Sequence, residues 1–420
     1  MSTNSQIHLL LKIAKRLRQL LRYQLTRIYF AIVPRFKPKL DKENLGVNFI
    51  GYAQGELGLG QAMRSMVFAT LAASIPLVVR KFKASIPSKQ SNDELTAYAY
   101  FSDYCKYPIN IICVNPDTLH LLPSWVSYSE WAKTYNIGYW FWELENFPEK
   151  WQYATNIVDE IWVATDYVAN AMRKSGKKVV KIPFPLEFSL PPDSMNREYF
   201  GINPNKFTYL SSFDFLSSLE RKNPQGVICA FQKAFPSGDD SVRLIIKTMN
   251  AGTHPKELKK IESFIGGDSR IEIRDGYLTQ EEMRGLISSA DAYVSLHRAE
   301  GLGLGLAEAM YMGKPTIATG YSGNLEFMNE TNSILVPYQL VQIEQSDYPN
   351  AEDGHWAEPS VSDAALAMHK ILRESDFRGE LGAKASCHMR AHHNYLKVAF
   401  EIKTQLECIK IDRADNAINL

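Results

Sequence analysis

The sequence predicts an α/β protein of two doubly wound, Rossmann-like domains with a basic amphipathic helix in front, and three observations carry that expectation. At 420 residues the chain exceeds one ordinary domain and suits two, each able to bury its own core. From Gly46 onward, short β-branched or aromatic runs alternate with helical patterns, the mark of βα units on a parallel sheet. The alternation is interrupted at Pro183-Phe-Pro185 and Leu190-Pro-Pro-Asp193 and then restarts.

Before that interruption strands are expected at residues 47–50, 77–79, 109–114, 135–141, 161–164 and 179–182. After it they are expected at 207–212, 243–248, 271–274, 292–296, 315–319 and 333–336, with helix from Ser360 nearly to the end. The domain organisation read from this pattern is a basic segment at 1–40, a first domain at 41–188, a second at 189–395, and a C-terminal helix and tail at 396–420. Two such sheets leave a cleft between them, and ligands of doubly wound sheets sit at the carboxyl ends of strands.

Composition narrows the classes. With 45% hydrophobic and 22% charged residues the chain is globular, which excludes disordered and fibrous architectures. Its net charge of +1 conceals an asymmetry, because residues 1–40 hold nine Lys or Arg and no Asp or Glu. The remainder carries 38 basic and 46 acidic side chains, a net of −8, which argues against nucleic acid as a partner. The five cysteines are odd in number, far apart and never in a Cys-x-x-Cys pair, so neither a disulfide framework nor a zinc site is expected and a reducing cytosol fits. No apolar run approaches the roughly 18 to 20 residues of a spanning helix.

In the basic segment Leu10, Ile13, Ala14, Leu17, Leu20, Leu21 and Ile28 share one helical face, while Lys12, Lys15, Arg16, Arg18 and Arg22 occupy the other. Such a helix suits a membrane interface, with aliphatic side chains among acyl chains and cations at anionic headgroups. The same pattern is compatible with a helix packed on the globular body and with an organelle transit peptide. Placement in the cytoplasm, peripheral on the inner face of a membrane, is the expectation.

The segment from Ser295 to Leu325 carries the chemistry. A strand end leads to Glu300, then to Gly301, Leu302, Gly303 and Leu304, then to a helix bearing Glu308. A further strand and a loop of small residues ending at Asn324 follow. Glycines let backbone amides approach a ligand, and the helix that follows points its positive end at them, which suits a phosphate. A carboxylate accepts two hydroxyls at once, so Glu300 and Glu308 suit a sugar and a ribose diol. His297 lies close enough to join them.

This run resembles the retaining glycosyltransferases of family 4, the group 1 transferases, whose signature is Glu-Gly-Phe-Gly-Leu-x-x-x-Glu-Ala-Met-x-x-Gly-x-Pro-Val-Ile-Ala-Thr-x-x-Gly-Gly. Glu300 to Leu304, Glu308 to Met310, Gly313 and Pro315 to Thr319 match in order and spacing, with Leu302 replacing the aromatic and Ser322-Gly323-Asn324 standing at the paired glycines. The resemblance implies a GT-B fold, a nucleotide-sugar donor in the second domain and retention of anomeric configuration. It implies that a Gly-rich loop under the donor phosphates and acceptor falls at Gly55, Glu56, Leu57 and Gly58. A basic pair that neutralises the departing diphosphate is expected near the second domain's first strand, where Lys222 matches. The arginine usual upstream is replaced by Leu216 and Ser217, leaving Arg221 or Lys247 as the second cation. Where many members carry a histidine near the reacting carbon, this chain has Trp142 and Glu143. Tyr277 falls where the family holds the base.

The expected function is transfer of a mannose-like hexose to a glycolipid or polysaccharide intermediate, with a GDP-sugar as donor first and a UDP-sugar second. Glu300 is assigned to the sugar and Glu308 to the ribose; Lys222, Arg221 and Glu143 complete the catalytic set. No Asp-x-Asp occurs, so neither a metal nor another cofactor is expected. The alternatives are a GT-B epimerase or sugar-phosphate synthase, and a catalytically silent membrane-associated binding subunit. Trp140, Trp142 and Trp151 are read first as core side chains.

Overall fold

The structure, a computed structural model, describes residues 3–32, 45–81, 100–344, 346–351 and 353–418. Helix α1 (Thr3–Ile32) precedes a first sheet of β1 (Val47–Gly51), β2 (Leu77–Lys81), β3 (Ile109–Cys113), β4 (Tyr135–Tyr139), β5 (Glu160–Val163) and β6 (Lys178–Lys181), interleaved with α2 (Gly58–Ala72), α3 (Tyr128–Ala132) and α4 (Asp166–Arg173). The second sheet comprises β7 (Phe207–Asp214), β8 (Val242–Met249), β9 (Ile271–Asp275), β10 (Ala292–Ser295), β11 (Thr316–Thr319) and β12 (Ile334–Val336). Its helices are α5 (Leu219–Lys222), α6 (Pro224–Ala234), α7 (Pro255–Ile265), α8 (Gln280–Ser289) and α9 (Leu304–Tyr311). Each expected strand is present within two residues of its expected ends.

Both sheets are parallel throughout, in the orders β2-β1-β3-β4-β5-β6 and β12-β11-β10-β7-β8-β9. The chain reverses its direction of winding between β1 and β3 in one sheet and between β7 and β10 in the other. Those switch points open crevices at the strand ends, which is where doubly wound sheets take ligands. Strands β1, β3, β4 and β5 are buried along their whole length, so they read as near-continuous apolar runs. Apart from Glu160 in β5, the polar exceptions are Asn48, Asn110 and Asn136, which occupy matching register positions and form a buried ladder, Asn48 Nδ2 to Asn110 Oδ1 at 2.8 Å and Asn110 Nδ2 to Asn136 Oδ1 at 2.8 Å. A one-residue slip would strand these amides among apolar neighbours, so the ladder fixes the register.

Two features were not expected. After β12 the chain forms an antiparallel hairpin, β13 (Tyr338–Gln342) with β14 (His355–Pro359), from a stretch whose polar turn residues gave no strand signal. The last helices are α10 (Val361–Arg373), α11 (Ser375–His392) and α12 (Tyr395–Ile418), and α12 returns to the first domain. There Ile402, Leu406 and Ile409 join the apolar cluster of Met63 and Met66 on α2.

Helix α1 also differs from its simplest reading. It packs on the first domain through Tyr23, Thr26, Tyr29 and Phe30: Tyr23 Oη donates to Lys150 O at 2.8 Å, Thr26 Oγ1 to His120 O at 3.1 Å, and Phe30 meets Trp131 edge-on at 4.5 Å. The aliphatic stripe faces away. Leu17, Leu21, Leu25 and Ile28 are each more than half exposed and Ile32 is 73% exposed. Aromatic rings and the Thr26 hydroxyl, rather than the aliphatic face, thus make the docking contact. The side chains of Leu10 and Ile13, part of the expected apolar face, lie outside the described residues.

Phe30→Ala is expected to weaken this docking by about 3 kcal/mol, the usual cost of emptying a buried phenylalanine site. Amide exchange should then accelerate in α1 and leave β1, β3 and β4 as protected as before.

Candidate active site

The two switch points face each other across a cavity of about 640 Å³. Its walls gather most of the residues singled out in the sequence: Glu56, Leu57, Gly58 and Glu143 from the first domain, and Arg221, Lys222, Lys247, Tyr277, Glu300, Gly301, Leu302, Gly303, Leu304 and Glu308 from the second. Gly55 lies behind its loop, where its carbonyl accepts from Arg64 at 3.1 Å. Arg64 also donates to Ala53 O and Gln61 Oε1, so this arginine holds the loop together from within.

Loop 296–303 owes its shape to two glycines and a serine. Gly303 has φ of +90° and N-caps α9, which frees the first amides of that helix to face the cavity. A Cβ on Gly323 would lie 2.2 Å from Gly301 O, so no larger residue fits there. Ser322 stands where the motif has glycine, and its φ of +77° explains that preference. Its hydroxyl compensates by accepting from Glu300 N at 2.8 Å and donating to Tyr321 O at 2.5 Å.

A charge cluster lies at the centre of the cavity. Lys222 Nζ donates to Glu300 Oε1 at 2.5 Å, and Arg221 approaches Glu300 Oε2 at 3.1 Å and Glu143 Oε1 at 3.8 Å. Burial by itself would raise the Glu300 carboxyl, but Lys222 and Arg221 outweigh it and hold the group down to about 2. Arg221 is buried, donates to Ala299 O at 2.8 Å and lies 5.8 Å from the Tyr348 ring. Left-handed Asn223 separates α5 from α6 and ties that corner to Leu296 O, which aims both cations at the cleft.

Three of the residues read from the sequence are held by protein atoms. Lys247 lines the cavity, but its amine donates to Thr248 O and Gly276 O rather than to Glu300; burial lowers its proton affinity, and it holds the loop that carries Tyr277. His297 and Asn324, read from the sequence as donor-binding, do not line the cavity. Both are fully buried behind it: His297 Nε2 bonds Asn324 Oδ1 at 3.0 Å, and Asn324 Nδ2 donates to Thr319 O at 3.0 Å, locking two loops together. Burial pushes the His297 imidazole below its ordinary value, toward the neutral form.

Other groups in the site had no sequence signal. Arg284 lies 3.5 Å from Glu308 and 4.0 Å over the Phe188 ring, giving the second carboxylate a counterion. Ser212 and Tyr293 share a 2.6 Å hydrogen bond beside Gly305, near the amino end of α9. Tyr348, from the loop of the β13–β14 hairpin, donates to Glu143 Oε2 at 2.8 Å. Of the three tryptophans, Trp140 and Trp151 are buried core rings and Trp142 packs against Trp151 at 4.5 Å.

Facing Rossmann-like domains, with cations, paired carboxylates and a helix amino terminus around one cleft, define a GT-B protein. Residues 212–343 match the family model of the Glycosyl transferases group 1, so the second domain is a group 1 glycosyltransferase domain. No match was found among curated proteins. Among solved structures the chain is similar to HepE of Anabaena, seen in complex with UDP and glucose, with a TM-score of 0.64 at 14% identity over 87% of this chain and 100% of that one. It is also similar to sucrose-phosphate synthase of Thermosynechococcus elongatus, with a TM-score of 0.63 at 15% identity over 87% and 99% of the two chains. A glycosyltransferase from Rickettsia africae gives 0.61 at 13% identity over 87% and 98%. At such identities the likeness establishes the fold.

The depressed Glu300 carboxyl sets an acid limit. A carboxyl held low in the folded state adds stability that is present above its unfolded value near 4.5 and is lost as pH falls through about 2. Between pH 5 and 2 the unfolding temperature of the wild type should therefore fall more steeply than that of Glu300→Gln, measured by circular dichroism. Equal slopes would remove Glu300 from the charge cluster.

Proposed function

We propose that the protein is a retaining glycosyltransferase that moves a hexose from a nucleoside diphosphate sugar to a hydroxyl of a glycolipid or polysaccharide intermediate. The observation that carries this reading is the placement of Lys222, Arg221 and the amino end of α9 around one point of the cleft, with Glu300 between the cations and Glu308 further along the helix. A diphosphate at that point meets two cations and free helix amides, an arrangement that stabilises the charge developing on a leaving group. Glu300 accepts sugar hydroxyls, Glu308 accepts the ribose diol, and the exposed ring of Tyr277 stacks on the base. The first domain supplies Glu143 and the loop at Glu56 to Gly58 on the acceptor side. Holding donor and acceptor in one closed cleft supplies the orientation part of the rate.

Uridine nucleotides rank ahead of guanosine nucleotides in this reading, because the HepE structures hold UDP and UDP-glucose. That reverses the order suggested by the sequence. The purified chain should release nucleoside diphosphate from at least one donor in a panel of UDP- and GDP-sugars, and Lys222→Ala should lower kcat about a hundredfold, in line with loss of one charge-stabilising group. Glu308→Ala should raise the donor KM about tenfold. Absence of release with every donor, with lipid-linked, polysaccharide and sugar-phosphate acceptors all supplied, would sink the enzyme reading and favour a binding subunit.

Helix α1 supports a membrane-surface acceptor. Its aliphatic stripe points outward beside Arg18, Arg22 and Arg27, and the turns it packs on, Leu119–Ser124 and Glu149–Asn156, follow the segments that place Asn115 and Glu143 in the cleft. No helix among the described residues is long and apolar enough to cross a membrane, so the helix is read as lying in the interface. Leu17→Ser, Leu21→Ser and Leu25→Ser combined should abolish flotation with anionic liposomes without changing donor turnover on a water-soluble acceptor. Undiminished flotation would defeat the interfacial role.

A further inference from the structure

The β13–β14 hairpin belongs to the second domain, yet its loop is buried against the first. Ile343, Tyr348, Ala351 and Trp356 all join the apolar cluster of Trp142 and Trp151. Arg298 fastens the hairpin to the catalytic loop, bonding Glu358 at 2.6 Å and lying 5.5 Å from the Trp356 ring, while Ala357 N donates to Arg298 O. Ser218 does two things at once. It accepts from Arg221 N as the cap of α5, and its hydroxyl donates to Asp347 O at 2.9 Å, next to Tyr348.

From this anchored position Tyr348 touches three site residues. Its hydroxyl donates to Glu143 Oε2 at 2.8 Å, its ring centre lies 5.8 Å from the Arg221 guanidinium, and its ring is 5.7 Å from that of Trp142. Glu143 also has Arg221 near its other oxygen at 3.8 Å, and its backbone carbonyl accepts from Tyr167 at 3.2 Å. Burial and the Glu143 charge keep the Tyr348 phenol protonated, so it acts as a donor. The bond joins a first-domain carboxylate to a second-domain phenol. It therefore forms only when the two halves of the cleft are together.

We propose that Tyr348 is a positioning residue for glycosyl transfer, one that fixes the Glu143 carboxylate toward the acceptor hydroxyl as the cleft closes and leaves donor binding to the residues around Glu308. The role rests on the transferase reading above. With a phenol bonded to one Glu143 oxygen and a guanidinium 3.8 Å from the other, the carboxylate is held in one orientation on the cavity wall and keeps lone pairs free for an acceptor hydroxyl. Without Tyr348 the carboxylate swings, and acceptor geometry suffers before donor affinity does.

The test is a double-mutant cycle on the purified full chain, with the donor and acceptor that give the highest turnover in the panel. Tyr348→Phe should lower kcat about tenfold, the scale of losing one hydrogen bond to a charged group, with the donor KM unchanged. Tyr348→Phe combined with Glu143→Gln should be no slower than Glu143→Gln alone, because both changes remove one interaction. Phe231→Leu, in the second domain's apolar core and away from the cavity and the hairpin, should lower the unfolding temperature while leaving kcat in place. Multiplying effects in the double variant, or an equal loss of kcat in Phe231→Leu, would overturn the positioning role. A wild-type chain without turnover overturns the transferase reading instead, so the two failures are distinct.

Discussion

The site depends on one carboxylate held between two cations. Glu300 is buried, and a lone buried carboxylate would rather be protonated than charged. Lys222 and Arg221 reverse that preference, and each of them in turn would be costly to bury without Glu300. The cluster is mutually required, and breaking it by removing one member typically costs about 3–5 kcal/mol. It also joins parts far apart in sequence: Lys222 and Arg221 end the short helix after β7, Glu300 follows β10, and Glu143 approaches from the other domain. The fold's switch points bring these strand ends together.

The rest of the molecule supports that cluster in layers. His297 and Asn324 brace the Glu300 loop from behind, Ser322 and Gly323 let that loop pass close to its neighbour, and Lys247 steadies the turn before Tyr277. Groups that look catalytic by type are here structural by placement. The imidazole of His297 lies behind the cavity wall, and the amine of Lys247, on that wall, is held by backbone carbonyls, whereas Glu300, Arg221 and Lys222 pair with one another in the cavity. Burial and hydrogen-bond partners, more than residue type, separate the two kinds.

The strands and the second-domain motif were legible in the sequence because both are local. Parallel strands buried on two faces leave apolar runs, and Glu300 to Glu308 keep a fixed spacing along one loop and one helix. The choice between Arg221 and Lys247 was not legible, since one follows β7 on a short helix and the other lies near the end of β8, and only the direction of each side chain distinguishes them. Arg284 and Tyr348 gave no signal, for a lone arginine on a helix and a tyrosine in a polar hairpin are ordinary surface patterns. The face by which α1 docks was hidden for a related reason: hydrophobic periodicity ranks leucine above tyrosine, while the docking surface is made of aromatic rings, with two hydroxyl hydrogen bonds from the helix to the first domain.

By itself the sequence determined two doubly wound domains, a glycine-rich helix end flanked by two acidic residues, and a cationic amphipathic arm. Each of these is written in a contiguous stretch whose period or spacing reports its own local structure. The tertiary structure alone decided which cation pairs with Glu300, that His297 and Asn324 stand behind the wall, that the last helix returns to the first domain, and that Tyr348 reaches Glu143. Those facts depend on contacts between residues distant in the chain. Such contacts are set by how the two sheets face each other, and no local pattern encodes that.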